Sequence, residues 1–217
     1  FHMAHLTLPG EIDFMGVGLI ATPRLAIGFN DTIAWSHTVS TALRFTFFRL
    51  DLVPGNAMAY SVGDEERAIE AIEVAVETDA GIENRTVYLT HLGPVVAGPN
   101  TPWDDQHVYV MRDVNYENYR TGDQYAAMQS ATDVTQLRQA LADHQGAAFV
   151  NTIAADKAGG ALYADMSAIP NVSVELISRC AVDQSAGARI TTLNGSDPSC
   201  DWQVDASAAA PGLMPPS

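Results

Sequence analysis

Among the residues able to do chemistry, the six histidines invite metal and triad readings first. None has H-x-x-x-H or H-E-x-x-H spacing, and Cys180 and Cys200 lie too far apart for a C-x-x-C knuckle, so no zinc site is expected. Asp104, Asp105 and His107 could gather a cation, but the stretch reads more simply as a solvated acidic loop, and no metal is expected. The chain has no G-x-S-x-G elbow, which removes the simplest serine-hydrolase reading. Gly16-Val17-Gly18-Leu19-Ile20-Ala21 matches a G-x-G-x-x-A dinucleotide fingerprint after the strand-like Ile12-Asp13-Phe14-Met15. That fingerprint needs a helix N-terminus facing the pyrophosphate, and Thr22-Pro23 would break such a helix in its first turns. The glycines are therefore assigned to a tight turn, and no cofactor is expected. His37, beside Trp35 and Ser36, is the histidine placed nearest a site; its plainer role is to secure, by hydrogen bonding, the strand that carries Val39.

The elements that must position these residues are mostly strands. From Phe1 to Leu52, short apolar runs are punctuated by Pro9-Gly10, Gly16, Gly18 and Asn30-Asp31. Phe45, Phe47 and Arg49 alternate with Thr46 and Phe48, as in a strand covered on both faces. Pro54-Gly55-Asn56 reads as a turn. Alanine and glutamate between Ala68 and Val76 favour a helix by propensity, whereas Ile72, Val74 and Val76 alternate as in an exposed strand; strand is the assignment made. Thr86–Leu89 and Val108–Met111 read as strands around a loop at Gly98-Pro99-Asn100. Val134, Leu137, Leu141 and His144 give a helix capped by Thr132 and stopped by Gly146. Phe149–Ala154 and Ala161–Ala164 form a hairpin whose turn, Asp156 to Gly160, supplies positive-φ glycines. After Pro170 the composition is that of a loop, and Ala208–Ser217 reads as a linker.

With 217 residues, 47% of them apolar, the chain can bury one substantial core, and nothing in it demands two domains. Eleven basic residues against 26 acidic ones give a net charge of −15, which repels phosphate backbones and anionic membranes. Nucleic acid and membrane are not expected as partners. Cys180 and Cys200 allow either one disulfide or two separate buried thiols, since connectivity cannot be read from spacing. Four N-x-[ST] sequons, at Asn30, Asn84, Asn171 and Asn194, are compatible with glycosylation or with chance.

One run is a fingerprint: Ile27-Gly28-Phe29-Asn30-Asp31-Thr32-Ile33-Ala34-Trp35-Ser36-His37-Thr38-Val39. Leu6-Thr7-Leu8-Pro9-Gly10 and Met15-Gly16 precede it, and Phe47-Phe48-Arg49-Leu50 and Leu92-Gly93-Pro94-Val95-Val96 follow it. This order resembles the large chain of the penicillin acylase family, amidases that use an N-terminal serine nucleophile, and within it the branch acting on acyl-homoserine lactones and aculeacin. The resemblance implies an α+β fold, part of the four-layer αββα sandwich of N-terminal-nucleophile hydrolases, with residues 1–217 an internal piece of one large-chain domain. It implies hydrolysis of N-acyl amides (acyl-homoserine lactones, lipopeptides or beta-lactams), by a serine expected before Phe1 and an oxyanion-binding asparagine expected after Ser217. The alternative is a non-catalytic homologue acting as a binding or scaffold protein.

Residue by residue, the resemblance places one oxyanion donor at the backbone N–H of Val39. It makes Leu19, Ala26, Ile27, Trp35 and Phe149 candidates for an acyl pocket, an ordinary core role being the other explanation. Some members hold calcium with aspartates just after the stretch matching Val39, but Ser40-Thr41-Ala42-Leu43 has no carboxylate, so no metal is carried over. The resemblance favours a Cys180–Cys200 disulfide, hence a periplasmic or secreted bacterial protein matured from a precursor. The partners implied are the small chain and the remaining large-chain segments.

Overall fold

A computed structural model describes residues 1–20, 24–182 and 191–216. The first strands are β1 (His2–Leu8), β2 (Ile12–Gly18), β3 (Ile27–Phe29), β4 (Ile33–Val39) and β5 (Phe45–Val53). They are followed by β6 (Asn56–Val62), β7 (Glu65–Ala68), β8 (Glu70–Thr78), β9 (Gly81–Thr90), β10 (Gly93–Pro94) and β11 (His107–Asp113). Helices α1 (Thr121–Ser130) and α2 (Val134–His144) lead to β12 (Val150–Asp156) and β13 (Ala161–Ala164). Helix α3 (Val174–Cys180), β14 (Ala181–Val182), β15 (Thr192–Asn194) and a 3-10 turn at Pro198–Cys200 complete the described elements. Among the described residues, every strand pairing is antiparallel except β15 with β5, so the chain is α+β with antiparallel sheets, as expected.

The chain divides into two compact units, each discontinuous in sequence. Unit 1 (1–44, 114–171 and 203–217) contains a six-stranded sheet in the order β1-β2-β3-β4-β12-β13. One face of it carries Phe14, Ile33, Trp35, Ala154 and Ala164, which bury against Met128 of α1 and Leu137, Ala140 and Leu141 of α2. Burying a side chain the size of Leu137 or Phe14 contributes roughly 1.5–3 kcal/mol.

Gly16 and Gly18 do not make the tight turn expected of them. They lie inside β2, where a Cβ on Gly16 would strike the Ile27 carbonyl and one on Gly18 the Arg24 carbonyl. Thr22-Pro23, invoked as the helix breaker, lies outside the described residues. Helix α2 is capped by Asp133, whose carboxylate accepts from the Gln136 N–H at 2.8 Å, with Thr132 one residue outside. It ends on Gln145 in the left-handed region (φ 40°) rather than on Gly146. Gly146 is required because a Cβ there would overlap the Arg120 backbone. In the β12–β13 hairpin only Gly159 has positive φ (93°); Gly160 is small because a Cβ would meet the Asp156 carboxylate. The Ala208–Ser217 stretch is no linker where it is described: Leu213 is buried, and Met214 O accepts from Gln145 Nε2 at 2.9 Å.

Unit 2 (45–113 and 172–202) holds a second six-stranded sheet, β14-β15-β5-β6-β7 with β11 paired to β5, and a three-stranded sheet, β10-β9-β8. The strand assignment for Ile72–Val76 holds: β8 pairs with β9 from Glu70↔Leu89 to Thr78↔Gly81. In β5 the fully buried positions are Thr46, Phe48, Leu50 and Leu52, with Phe45, Phe47 and Arg49 half-buried between them. Cys180 and Cys200 form a disulfide that ties α3 to the 3-10 turn.

Candidate functional site

The path to Val39 begins at a turn built by Asn30. Its Oδ1 accepts from the N–H groups of Thr32 (2.9 Å) and Ile33 (3.0 Å), and its Nδ2 donates to Ala131 O at 2.8 Å. An asparagine side chain mimicking a backbone turn in this way launches β4 in a fixed direction and leaves this sequon's amide engaged. Trp35 Nε1 donates to Ala26 O at 2.9 Å, and the indole stacks on Phe14 with ring centroids 4.7 Å apart. Gly16 and Gly28, facing each other across β2 and β3, supply the room for the Phe14 ring.

His37 is held as its plainer reading requires. Its Nδ1 lies 3.2 Å from Thr152 Oγ1 on β12, and its ring meets Tyr125 edge-on at 5.9 Å. Burial pushes its pKa below 6.5, so the ring is neutral near pH 7. Nε2 is enclosed and has no hydrogen-bond partner among the described residues.

Val39 ends β4 opposite Val150 and is 81% exposed. The next residue, Ser40, donates its N–H to Phe149 O at 2.9 Å, continuing the β4–β12 ladder. N–H groups alternate sides along a strand, so the Val39 N–H points away from β12. Among the described residues, β3 on that side pairs with β4 only at Ala34 and Trp35. The arrangement is that of a backbone donor at a strand end, outside the β4–β12 ladder.

The five pocket candidates do not share one surface. Ile27 pairs with Val17 in a register that puts it on the sheet face opposite Phe14 and Trp35, and it is partly exposed. Trp35 is 3% exposed and belongs to the helix-covered core. Ala26 donates its N–H to Val17 O at 2.9 Å at the entrance to β3, and Leu19 follows β2 with its side chain exposed. Phe149 is half-exposed and has left-handed backbone geometry, φ 62°. For a residue other than glycine such a conformation costs on the order of 1–3 kcal/mol and persists only where its surroundings impose it.

Sequence reasoning missed a cluster beside Val39. Asp165 Oδ2 accepts from Ser40 Oγ at 2.7 Å, its Oδ1 accepts from Ser167 Oγ at 3.1 Å, and Arg44 Nη2 lies 3.7 Å from Oδ1. The available signal was an arginine set between Leu43 and Phe45, where a charge is costly to bury without a partner. A separate cavity of about 540 Å³ lies within unit 2, lined in part by Phe48, Val62, Arg67, His91 and Asp201. There Tyr60 Oη accepts from the His91 backbone N–H at 3.1 Å and lies 3.0 Å from His91 Nδ1. Burial, then Arg67, pushes the His91 pKa down. Among the described residues, no three His, Cys, Asp or Glu side chains gather as metal ligands, and Asp104 instead accepts from the Gln106 and His107 N–H groups.

The full chain, residues 1–217, matches the family described as penicillin amidase. It is 39% identical over 221 residues to an acyl-homoserine lactone acylase PvdQ of Pseudomonas putida, covering 99% of this chain and 28% of that protein. It is 40% identical over 224 residues to the aculeacin-A acylase of Actinoplanes utahensis, covering 100% of this chain and 28% of that protein. The chain thus spans about 28% of the length of these curated relatives. Among solved structures, a thermostable penicillin G acylase from Alcaligenes faecalis matches with a TM-score of 0.68 at 20% identity, over 80% of this chain and 31% of that one, which places both in one fold. The run from Ile27 to Val39, the sheet that carries it and the match along all 217 residues agree, and the chain belongs to the penicillin amidase family.

Proposed function

We propose that this chain is part of an acylase that hydrolyses the amide bond of N-acyl compounds, with acyl-homoserine lactones or lipopeptides as the leading substrates and beta-lactam side chains as the third. The observation that carries the reading is the similarity to two acylases along essentially the whole chain, at 39% and 40% identity. In this reading an N-terminal serine, outside these residues, attacks the amide carbonyl with its own α-amine taking the proton, the C–N bond breaks as that proton passes to the departing amine, and water then releases the acid from the acyl-enzyme. The Val39 N–H is one donor to the developing oxyanion. Leu19, Ala26, Ile27 and Phe149 contribute apolar surface toward the acyl chain, whereas Trp35 supports them from the core through its bond to Ala26. The small chain and the other large-chain segments are the partners, maturation proceeds by precursor cleavage, and the Cys180–Cys200 disulfide favours a periplasmic or secreted location. Acting on acyl-homoserine lactones, the enzyme would quench quorum signals.

The test is expression of the full-length gene, mass mapping of the large-chain N-terminus, and assay of N-acyl homoserine lactones of graded chain length. A mature chain beginning with serine, together with release of the fatty acid, is the expected result. An uncut precursor without activity would sink the acylase reading and leave a binding protein.

A further inference from the structure

We propose that Ser40, Arg44 and Asp165 are positioning residues that hold the Val39 amide in place, an inference that rests on the reading of Val39 as an oxyanion donor. Arg44 is the first reason. Its side chain is fully enclosed, and Nε, Nη1 and Nη2 make no hydrogen bond among the described residues. Its nearest opposite charge is Asp165 Oδ1, at 3.7 Å. A guanidinium can offer five donors in a rigid fork, so a pair built for stability would be bidentate. Here the carboxylate is aimed elsewhere: Oδ2 accepts from Ser40 Oγ at 2.7 Å and Oδ1 from Ser167 Oγ at 3.1 Å. Burying a charge this way carries a desolvation penalty that a packed apolar side chain would avoid. What Arg44 supplies is a fixed positive charge beside Asp165, which is the acceptor for Ser40.

Ser40 is the second reason, because it follows Val39 directly. Three bonds converge on it. Its N–H donates to Phe149 O at 2.9 Å, its Oγ donates to Asp165, and the same Oγ accepts from the Ala42 N–H at 3.2 Å. The residue that receives the Ser40 N–H, Phe149, has the left-handed backbone, and its ring centroid lies 5.8 Å from the Arg44 guanidinium carbon. The cation therefore touches both sides of the strand end: Ser40 through Asp165, and Phe149 directly.

The experiment uses the full-length mature enzyme and an N-acyl p-nitroanilide. Ser40→Ala and Asp165→Asn are each expected to lower kcat roughly 10- to 100-fold, the scale of an ångström-size misplacement, with KM within about twofold. Affinity for an alkylboronic acid, which mimics the tetrahedral intermediate, falls in parallel, and Ser40→Thr recovers most of kcat by restoring the hydroxyl. Should Ser40→Ala not fold, Asp165→Asn decides, since it removes the charge beside Arg44 and turns the charge-assisted bond from Ser40 into a weaker neutral one. Unchanged kcat and boronate affinity with only a lower melting temperature would overturn the proposal and leave a purely structural cluster. A wild-type enzyme that cleaves no acyl amide would overturn the acylase reading itself, and this proposal with it.

Discussion

Gly16 and Gly28 face each other across β2 and β3, and a Cβ on Gly28 would come within 2.6 Å of the Gly16 Cα and equally near the Phe14 ring. The Phe14–Trp35 stack exists because these two positions carry no side chain. Gly28→Ala forces the ring or the backbone to shift, and overpacking of this kind typically costs about 1–3 kcal/mol. A urea denaturation midpoint lowered by that free energy divided by the slope, with the slope unchanged, is the expected result.

Asp156 joins two elements. Its Oδ1 accepts from the Ala158 (3.0 Å) and Gly160 (2.8 Å) N–H groups, and its Oδ2 from Val134 N at 3.1 Å, at the start of α2. These backbone bonds, Val134's first, hold its pKa below the ordinary 3.8. A carboxyl whose folded pKa is depressed stabilises the fold above its unfolded pKa, and the contribution is lost as pH falls through the folded value. Asp156→Asn is therefore expected to lower the melting temperature at pH 7 and to narrow its gap to wild type as pH falls below about 4. Melting curves between pH 7 and pH 3 check both parts.

How much of this was legible in the sequence depends on whether side-chain polarity follows burial. It does in α2, where Leu137 and Leu141 recur at helical spacing and mark the helix to within a residue. It does not in α1, whose buried positions are Gln124, Met128 and Gln129. Gln124 accepts from the Gly146 and Ala147 N–H groups, and Gln129 donates to Leu25 O, so polar side chains occupy the inward face and erase the apolar stripe. Helix α3 is hidden for another reason: it has seven residues, and only Leu176 and Cys180 turn inward. At the site, the Ile27–Val39 run marked the strand, but the Ser40–Asp165 bond spans 125 residues and leaves no local pattern.

The Cys180–Cys200 bridge closes a loop with a sequence separation of 20, between a short helix and a 3-10 turn. The chain-entropy model gives such a loop about 3 kcal/mol of stabilisation. Paired substitution to alanine should lower the unfolding free energy of the full-length protein by that order. Both sulfurs are buried, so the native protein should react with a thiol probe only after reduction and unfolding. Labelling of the folded, unreduced protein would show that the pair is open.

The role assigned to Val39 depends on its N–H and not on its side chain, and two substitutions separate the two. Val39→Ala keeps the donor and trims a side chain that is 81% exposed, so kcat of the full-length enzyme should stay within about twofold of wild type. Val39→Pro removes the donor. Because the Ser40 N–H makes the ladder bond to Phe149 and the Val39 N–H points the other way, proline deletes no β4–β12 hydrogen bond. Loss of one oxyanion donor typically costs about 2.7–4 kcal/mol, a 100- to 1000-fold drop in kcat. A proline variant that melts near wild type and loses activity on this scale fits a transition-state donor. The same variant with intact turnover would move the oxyanion site away from Val39, and equal losses in both variants would mean that the valine side chain matters instead.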